Sequence, residues 1–412
     1  MMFKLLFTWL PLLFISITPC AQNKNSASIS NRVIPAAERM EVYLPLLKGK
    51  RVGVFANQTS MVHNTHLVDT LIKSGIRVVK IFGPEHGFRG TADAGEKVKD
   101  GIDAKTGLPV ISLYGNHKQP SLKELEDVDL LVFDIQDVGV RFYTYISSLE
   151  EFMEAAFEHG KPLMILDRPN PNGFYVDGPV LQPAFKSFVG MQPVPIVYGM
   201  TIAEYAMMIA GEGWLSQKAN ARFAYYKTAE NSADTPFHFQ IIKNKNYDHT
   251  TRYELPVKPS PNLPDMQSIY MYPSTCLFEG TTLSEGRGTE KPFQYIGHPS
   301  LPKNLFLFTP SPTEGAKSSK HFYKKCYGWD LSKVKPVAHL EIKYLQDAYK
   351  LFPKKDSFFL KNNFFNKLAG NDELMQQIKA GHSEANIRKT WEKDLNAFKA
   401  IRKKYLLYKD FE

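Results

Sequence analysis

The chain has 412 residues, of which 43% are hydrophobic and 23% charged, with a formal net charge of +9. At ~100 to 200 residues per domain this is enough for two or three domains, and the composition excludes fibrous and broadly disordered classes. The moderate excess of base favours anionic glycans, membrane surfaces or acidic substrates over long range. No dense arginine-aromatic tract is present, so nucleic acid is not expected as a partner.

Residues 1 to 21 have the layout of a secretory signal: Lys4 precedes an apolar run, Leu5 to Ile17, and small residues follow from Thr18 to Ala21. The run is short and contains Pro11, so no stable transmembrane segment is expected in the mature chain. The expected location is therefore exported and periplasmic. Lipidation of Cys20, giving an outer-membrane lipoprotein, is the alternative, although Thr18 and Pro19 make a poor lipobox. Cys276 and Cys326 are the remaining cysteines, and one disulfide between them is open in an oxidising compartment. Nothing in the sequence fixes an oligomeric state.

After a polar leader the pattern sharpens from Pro35. A short helix is expected over 38–47, a strand over 51–58, a helix over 67–75 ending at Gly75, and a strand over 78–83. A strand over 108–115, a helix over 121–128 capped by Ser121, and core strands over 129–135 and 161–167 flanking a helix over 148–160 complete the run. Short apolar strands separated by helices are the mark of βα units around a parallel sheet. Farther on, 201–215 reads as a helix with Thr201 and Glu204 forming a capping box. ARFAYYKT and FHFQIIKN read as strands of a different environment, and 254–273 as a proline-rich crossing without repetitive structure. Helices are expected over 340–352 and 383–408. The domain boundary is placed near 190, giving domains at 35–190 and 191–412.

Ligands of parallel sheets bind beyond the carboxyl ends of the strands. Four strands deliver polar side chains there: Asn57 and Gln58; Glu85, His86 and Arg89; Asp134, Asp137, Arg141 and Tyr143; Arg168 and Asn170. Neither a G-x-G-x-x-G nor a G-x-x-x-x-G-K-[ST] loop is present, which removes the main support for a dinucleotide or phosphate-loop enzyme. G-x-S-x-G is also missing, and HNTH (63–66) is not H-E-x-x-H, so neither a cofactor nor a metal is expected. The remaining mixture of carboxylates, amides, arginines and tyrosines suits a sugar, whose hydroxyls need donors and acceptors and whose apolar face fits an aromatic ring. Glycoside hydrolysis asks for two carboxyl groups, and Glu85, Asp134, Asp137, Glu279, Glu285 and Glu290 are the supply. Each has a structural alternative. Glu85 could brace its loop with Arg89, Asp137 could pair with Arg141, Asn170 could be a turn residue, and the charges of SEGRGTE could be a solvated loop.

ANQTS (56–60), IFGPEHGFRG (81–90), DLLVFDIQDVGVRFYTYI (129–146), LDRPNPNG (166–173), VDGPVL (176–181) and FEGTTLSEGRGTEKPF (278–293) together resemble a family first described as a domain of unknown function and later associated with exo-β-N-acetylmuramidases. The resemblance implies a Rossmann-like N-terminal parallel-sheet domain, a C-terminal α/β domain and an interdomain cleft. It also implies release of non-reducing terminal N-acetylmuramic acid from peptidoglycan-derived saccharides. It points most firmly to Glu85 and names no second carboxylate; the working mechanism makes Glu85 the general acid, has His86 orient it or the substrate, and has Asp137, Glu285 or Glu290 assist water or stabilise the oxocarbenium-like charge. Arg141 or Arg287 would then meet the lactyl carboxylate of muramic acid. An exported glycan-binding protein that uses the same cleft without turnover is the alternative.

Overall fold

Residues 32–85, 87–89 and 100–412 are described by the structure, a computed structural model. The leader 1–21, Cys20 and His86 lie outside the described residues. The strands in chain order are β1 (Arg51–Ala56), a small hairpin of β2 (Met61–Val62) and β3 (Thr65–His66), β4 (Arg77–Gly83), β5 (Gly101–Ile102), β6 (Pro109–Ser112), β7 (Leu130–Asp134), β8 (Leu163–Leu166), β9 (Phe239–Ile242), β10 (Tyr295–His298), β11 (Phe306–Phe308) and β12 (Cys326–Asp330).

Seven strands form one sheet in the order β5-β6-β4-β1-β7-β8-β9, parallel except for the edge pair β5 and β6. Numbered by chain order, the six parallel strands lie 3-2-1-4-5-6, so the connections reverse direction between β1 and β7. There Ala56 stands opposite Asp134. Successive side chains of a strand point to opposite faces, and both faces here are buried. In β1, Phe55 packs on one face while Val54 packs on the other. In β7, Leu131 and Phe133 face one way and Leu130 and Val132 the other. The helix Tyr145–Glu158 covers the first face with Phe152 and Phe157, and Phe55 stacks on Phe133 with ring centres 4.8 Å apart. Leu67, Val68 and Leu71 of the helix Leu67–Lys73 cover the second.

Beyond this sheet lie a three-stranded antiparallel sheet, β10-β12-β11, and the helices Lys343–Leu351, Phe364–Ala369, Glu373–Lys379 and Glu384–Arg402. The last buries Ile387, Trp391 and Phe398 of the expected apolar stripe. The architecture is two-domain α/β, with Val33–Glu412 forming one compact unit.

Four expectations are corrected. FHFQIIKN supplies β9 to the parallel sheet itself, so that sheet extends past residue 190. ARFAYYKT lies in the helix Gln217–Tyr226: Ser216 caps it by accepting from the Ala219 amide, and Phe223 and Tyr226 fall on one face against Phe157. Within 254–273 a helix begins at Met266, where Asp265 and Ser268 form a capping box strong enough to start it despite the prolines upstream. Cys276 and Cys326 are separate, buried free thiols rather than a bridge. No helix among the described residues is long and apolar enough to cross a membrane.

Candidate active site

A cavity of about 770 Å³ lies beyond the carboxyl ends of β4, β6 and β7, and Glu85, Tyr143, Glu279, Arg287 and Phe293 are among the residues that line it. That volume is in the ordinary range for a small-molecule site.

Glu85 reaches it because the chain turns tightly after β4. Gly87 adopts φ +75°, and its amide donates to the Pro84 carbonyl at 3.0 Å. A side chain at Gly83 would stand 3.2 Å from the Phe88 amide nitrogen. The carboxylate accepts from the Tyr114 hydroxyl at 2.9 Å on Oε1 and from the Thr144 hydroxyl at 3.4 Å on Oε2. Burial, reinforced by the Glu85 charge, pushes the Tyr114 phenol well above its ordinary range, so it remains a donor. Arg89 does not line the cavity. It forks onto Asp103 at 3.0 and 2.8 Å and braces the loop, the structural alternative the sequence left open.

The same cavity is lined by Glu279, held in the short 3-10 turn Cys276–Gly280. Arg287 donates to its Oε1 through Nη2 at 2.6 Å and Nε at 3.1 Å, and also approaches Glu285 at 3.5 Å. Burial opposes the charge on Arg287, but the Glu279 and Glu285 carboxylates outweigh it and hold the guanidinium above its ordinary range. Tyr143, Tyr145, Tyr272 and Phe293 give the cavity an aromatic floor, with Tyr143 to Tyr145 at 4.8 Å and Tyr272 to Phe293 at 4.8 Å, both edge-on. Phe188 and Lys317 are at the margin.

Several expected site residues stand behind this surface. The Asn57 amide donates to the Tyr145 hydroxyl at 2.8 Å, and Gln58 donates to the Pro259 carbonyl at 3.0 Å, the same oxygen that accepts from Tyr143 at 2.9 Å. They place the floor rather than form it. Asp134 and Arg168 are a fully buried bidentate pair, at 2.5 and 2.8 Å, below the strand ends. Asn170 is a turn residue, donating to the Met200 carbonyl and accepting from the Asn172 amide.

The assignments of Asp137 and Arg141 require correction. Asp137 is buried, accepts from the Tyr198 hydroxyl and the Gly139 amide, and does not line the cavity; burial pushes its carboxyl up to about 6. Arg141 is wholly buried and donates to four carbonyls, those of Pro179, Val194, Leu368 and Ala369, at 2.7 to 2.9 Å. Two of these are end carbonyls of the helix Phe364–Ala369, which have no partner inside the helix. Arg141 therefore joins backbone segments instead of meeting a ligand anion. Glu285 is buried between Arg287 and Lys320 behind Glu279, while Glu290 is exposed and outside the cavity wall. Glu279, one of the six candidate carboxylates, has no local mark that singles it out, because eight residues separate it from its partner Arg287. Tyr114 carried a usable signal, since it lies two residues past the carboxyl end of β6. Among the described residues no group of three or more His, Cys, Asp or Glu side chains is placed to hold a metal.

Residues 52–267 match the family model described as exo-β-N-acetylmuramidase NamZ, N-terminal, and residues 270–408 match the corresponding C-terminal model. The chain is 39% identical over 436 aligned positions to the peptidoglycan β-N-acetylmuramidase NamZ of Bacillus subtilis (strain 168), covering 98% of this chain and 100% of that protein. Two solved DUF1343 family proteins of Bacteroides fragilis NCTC 9343 are also similar. One is 44% identical with a TM-score of 0.80, covering 92% of this chain and 99% of that one. The other is 29% identical with a TM-score of 0.75, covering 92% and 100%.

Proposed function

The chain belongs to the exo-β-N-acetylmuramidase NamZ family, an exo-acting glycosidase of peptidoglycan fragments, and from that premise we propose how its own residues carry out the hydrolysis. The strand order 3-2-1-4-5-6 supports reading the N-terminal sheet as Rossmann-like, with the cavity as a cleft between the two domains. The secretory layout of residues 1 to 21 supports action in the periplasm.

The observation that carries the mechanism is that two carboxylates, Glu85 and Glu279, line one and the same aromatic-floored cavity. Glu85, ligated by two hydroxyls, is the general acid that protonates the leaving glycosidic oxygen. Glu279, ion-paired with Arg287, faces the cavity as a carboxylate and stabilises the oxocarbenium-like charge or activates water. Tyr143, Tyr145 and Tyr272 cover the apolar face of the sugar, here a non-reducing terminal N-acetylmuramic acid. With Arg141 committed to backbone carbonyls, the cavity-lining cations Arg287 and Lys317 are the proposed partners of the lactyl carboxylate.

The test is turnover of a purified MurNAc-GlcNAc disaccharide. Free N-acetylmuramic acid should be released, and Glu85→Gln and Glu279→Gln should each lower kcat by at least ~100-fold with the fold intact. Binding without release would make the protein a glycan-binding module. Undiminished turnover by either variant would remove that residue from the mechanism.

A further inference from the structure

We infer that Lys320 is a positioning residue for Glu279, an assignment that rests on Glu279 acting in the reaction as proposed above. The Lys320 ammonium lies 2.9 Å from the Phe278 carbonyl, 3.3 Å from the Glu279 carbonyl, 2.9 Å from the Leu283 carbonyl and 3.0 Å from Glu285 Oε2. Two of these oxygens belong to the 3-10 turn Cys276–Gly280 that carries Glu279 to the cavity wall. A lysine head has three N–H donors, so four oxygens converging on it saturate the group and tie the turn to the residues that follow it.

The same lysine acts on the Glu279 side chain by a second route. Lys320, Glu285, Arg287 and Glu279 form a row of alternating charge, with contacts of 3.0, 3.5 and 2.6 Å. Arg287 is shared between two carboxylates. The positive charge of Lys320 takes up part of the Glu285 charge, which leaves the shorter, doubled contact of Arg287 to Glu279. Removing Lys320 leaves Glu285 to compete for Arg287, and the turn loses its anchor at the same time.

Lys320 is delivered by a strap that is itself part of the cavity. Gly315, Ala316, Lys317 and Ser318 line the wall, and the Gly315 carbonyl accepts from the Asn262 amide at 2.7 Å. Immediately after Lys320, His321 takes φ +61°, uncommon for a residue with a side chain, and its Nε2 lies 2.7 Å from the Thr282 carbonyl. Two consecutive side chains are thus folded under the Glu279 turn from a segment that lines the cavity.

The experiment measures kcat, KM and thermal unfolding of Lys320→Met, Lys320→Arg and Glu279→Gln on the disaccharide. A displacement of about 1 Å in a reacting group can cost ~100-fold, so Lys320→Met should lose ~10- to 100-fold in kcat while KM stays within about twofold. Lys320→Arg, which keeps the charge, should return to within about fivefold of the wild-type kcat. A purely structural lysine would lower the unfolding midpoint without this split, and Lys320→Arg would be no better than Lys320→Met. Wild-type kcat in folded Lys320→Met, with Glu279→Gln inactive, overturns the positioning role alone. Wild-type kcat in Glu279→Gln overturns the assignment of Glu279 itself, and the positioning role falls with it. Should Lys320→Met fail to fold, Lys320→Gln, which keeps donors for the turn carbonyls and removes the charge, is read instead: a fall in kcat at unchanged KM supports the inference, and wild-type kcat overturns it.

Discussion

Tyr114 is the side chain that orients Glu85, the proposed general acid. Its hydroxyl, kept protonated by burial and by the neighbouring negative charge, donates to Glu85 Oε1 and fixes which way the carboxyl group faces. Tyr114→Phe keeps the ring and removes one hydrogen bond to a charged group, worth about 1.5 to 3 kcal/mol. If all of it is expressed in the transition state, kcat falls by ~10- to 100-fold with KM within about twofold. An unchanged kcat would mean that Glu85 is oriented by Thr144 and the loop backbone alone. The residue scale also explains why arginines were hard to sort from sequence. Arg141, Arg168 and Arg287 all follow strands or glycine loops, yet one holds four carbonyls, one a buried aspartate, and only the third faces the cavity. A guanidinium has five donors and satisfies each of these settings equally well, so its role depends on which acceptors the fold brings near.

Among the elements, the loop after β4 and the turn Cys276–Gly280 are the two that aim carboxylates, and both are braced from outside the cavity, by Asp103 through Arg89 and by Lys320. The helix Phe364–Ala369 has a comparable brace in Arg141, which joins its last carbonyls to the loops around Pro179 and Val194. Arg141→Met leaves four buried acceptors without their donor, and the expected cost is at least ~3 kcal/mol of folding free energy, visible as a lowered denaturant midpoint. A substrate-binding arginine would instead raise KM and leave that midpoint in place. Most elements were legible because their signals are local: the capping boxes at Ser121 and Thr201, and the unbroken apolar runs of β7 and β8. The misread helix Gln217–Tyr226 has a local cap too, but its aromatic content favours a strand by propensity, and packing of Phe223 against Phe157 decides the matter.

For the molecule as a whole, the net charge of +9 coexists with buried carboxyl groups whose burial opposes their ionisation. Burial pushes Glu150 up to about 8 and Asp167 up to about 7. Glu150 accepts from the Gln192 amide through Oε1, and its Oε2 has no hydrogen-bond partner among the described residues. A carboxyl whose folded value lies above its unfolded value binds its proton more tightly in the native state. Stability therefore falls as pH rises from about 4.5 to about 8 for Glu150, and the unfavourable contribution is complete above that range. Glu150→Gln keeps the shape and the contact with Gln192. The variant should match the wild type near pH 4.5 and exceed it increasingly towards pH 8, by a few kcal/mol at most, in unfolding curves taken across that range. Parallel curves for the two proteins would show that Glu150 ionises in the folded state without cost.

The sequence alone determined the alternation of strands and helices, the edge of the sheet at which polar residues collect, and the candidacy of Glu85, because each depends on short-range pattern: apolar runs, caps and a glycine turn placed directly after a strand. Only the tertiary structure decided which polar residues face the cavity. Glu279 meets Arg287 and Lys320 across separate turns, β9 joins its sheet after a long excursion, and two of the four carbonyls that hold Arg141 lie more than two hundred residues away. Those outcomes are set by burial and by competition among distant hydrogen-bond partners, and neither leaves a periodic trace in the chain.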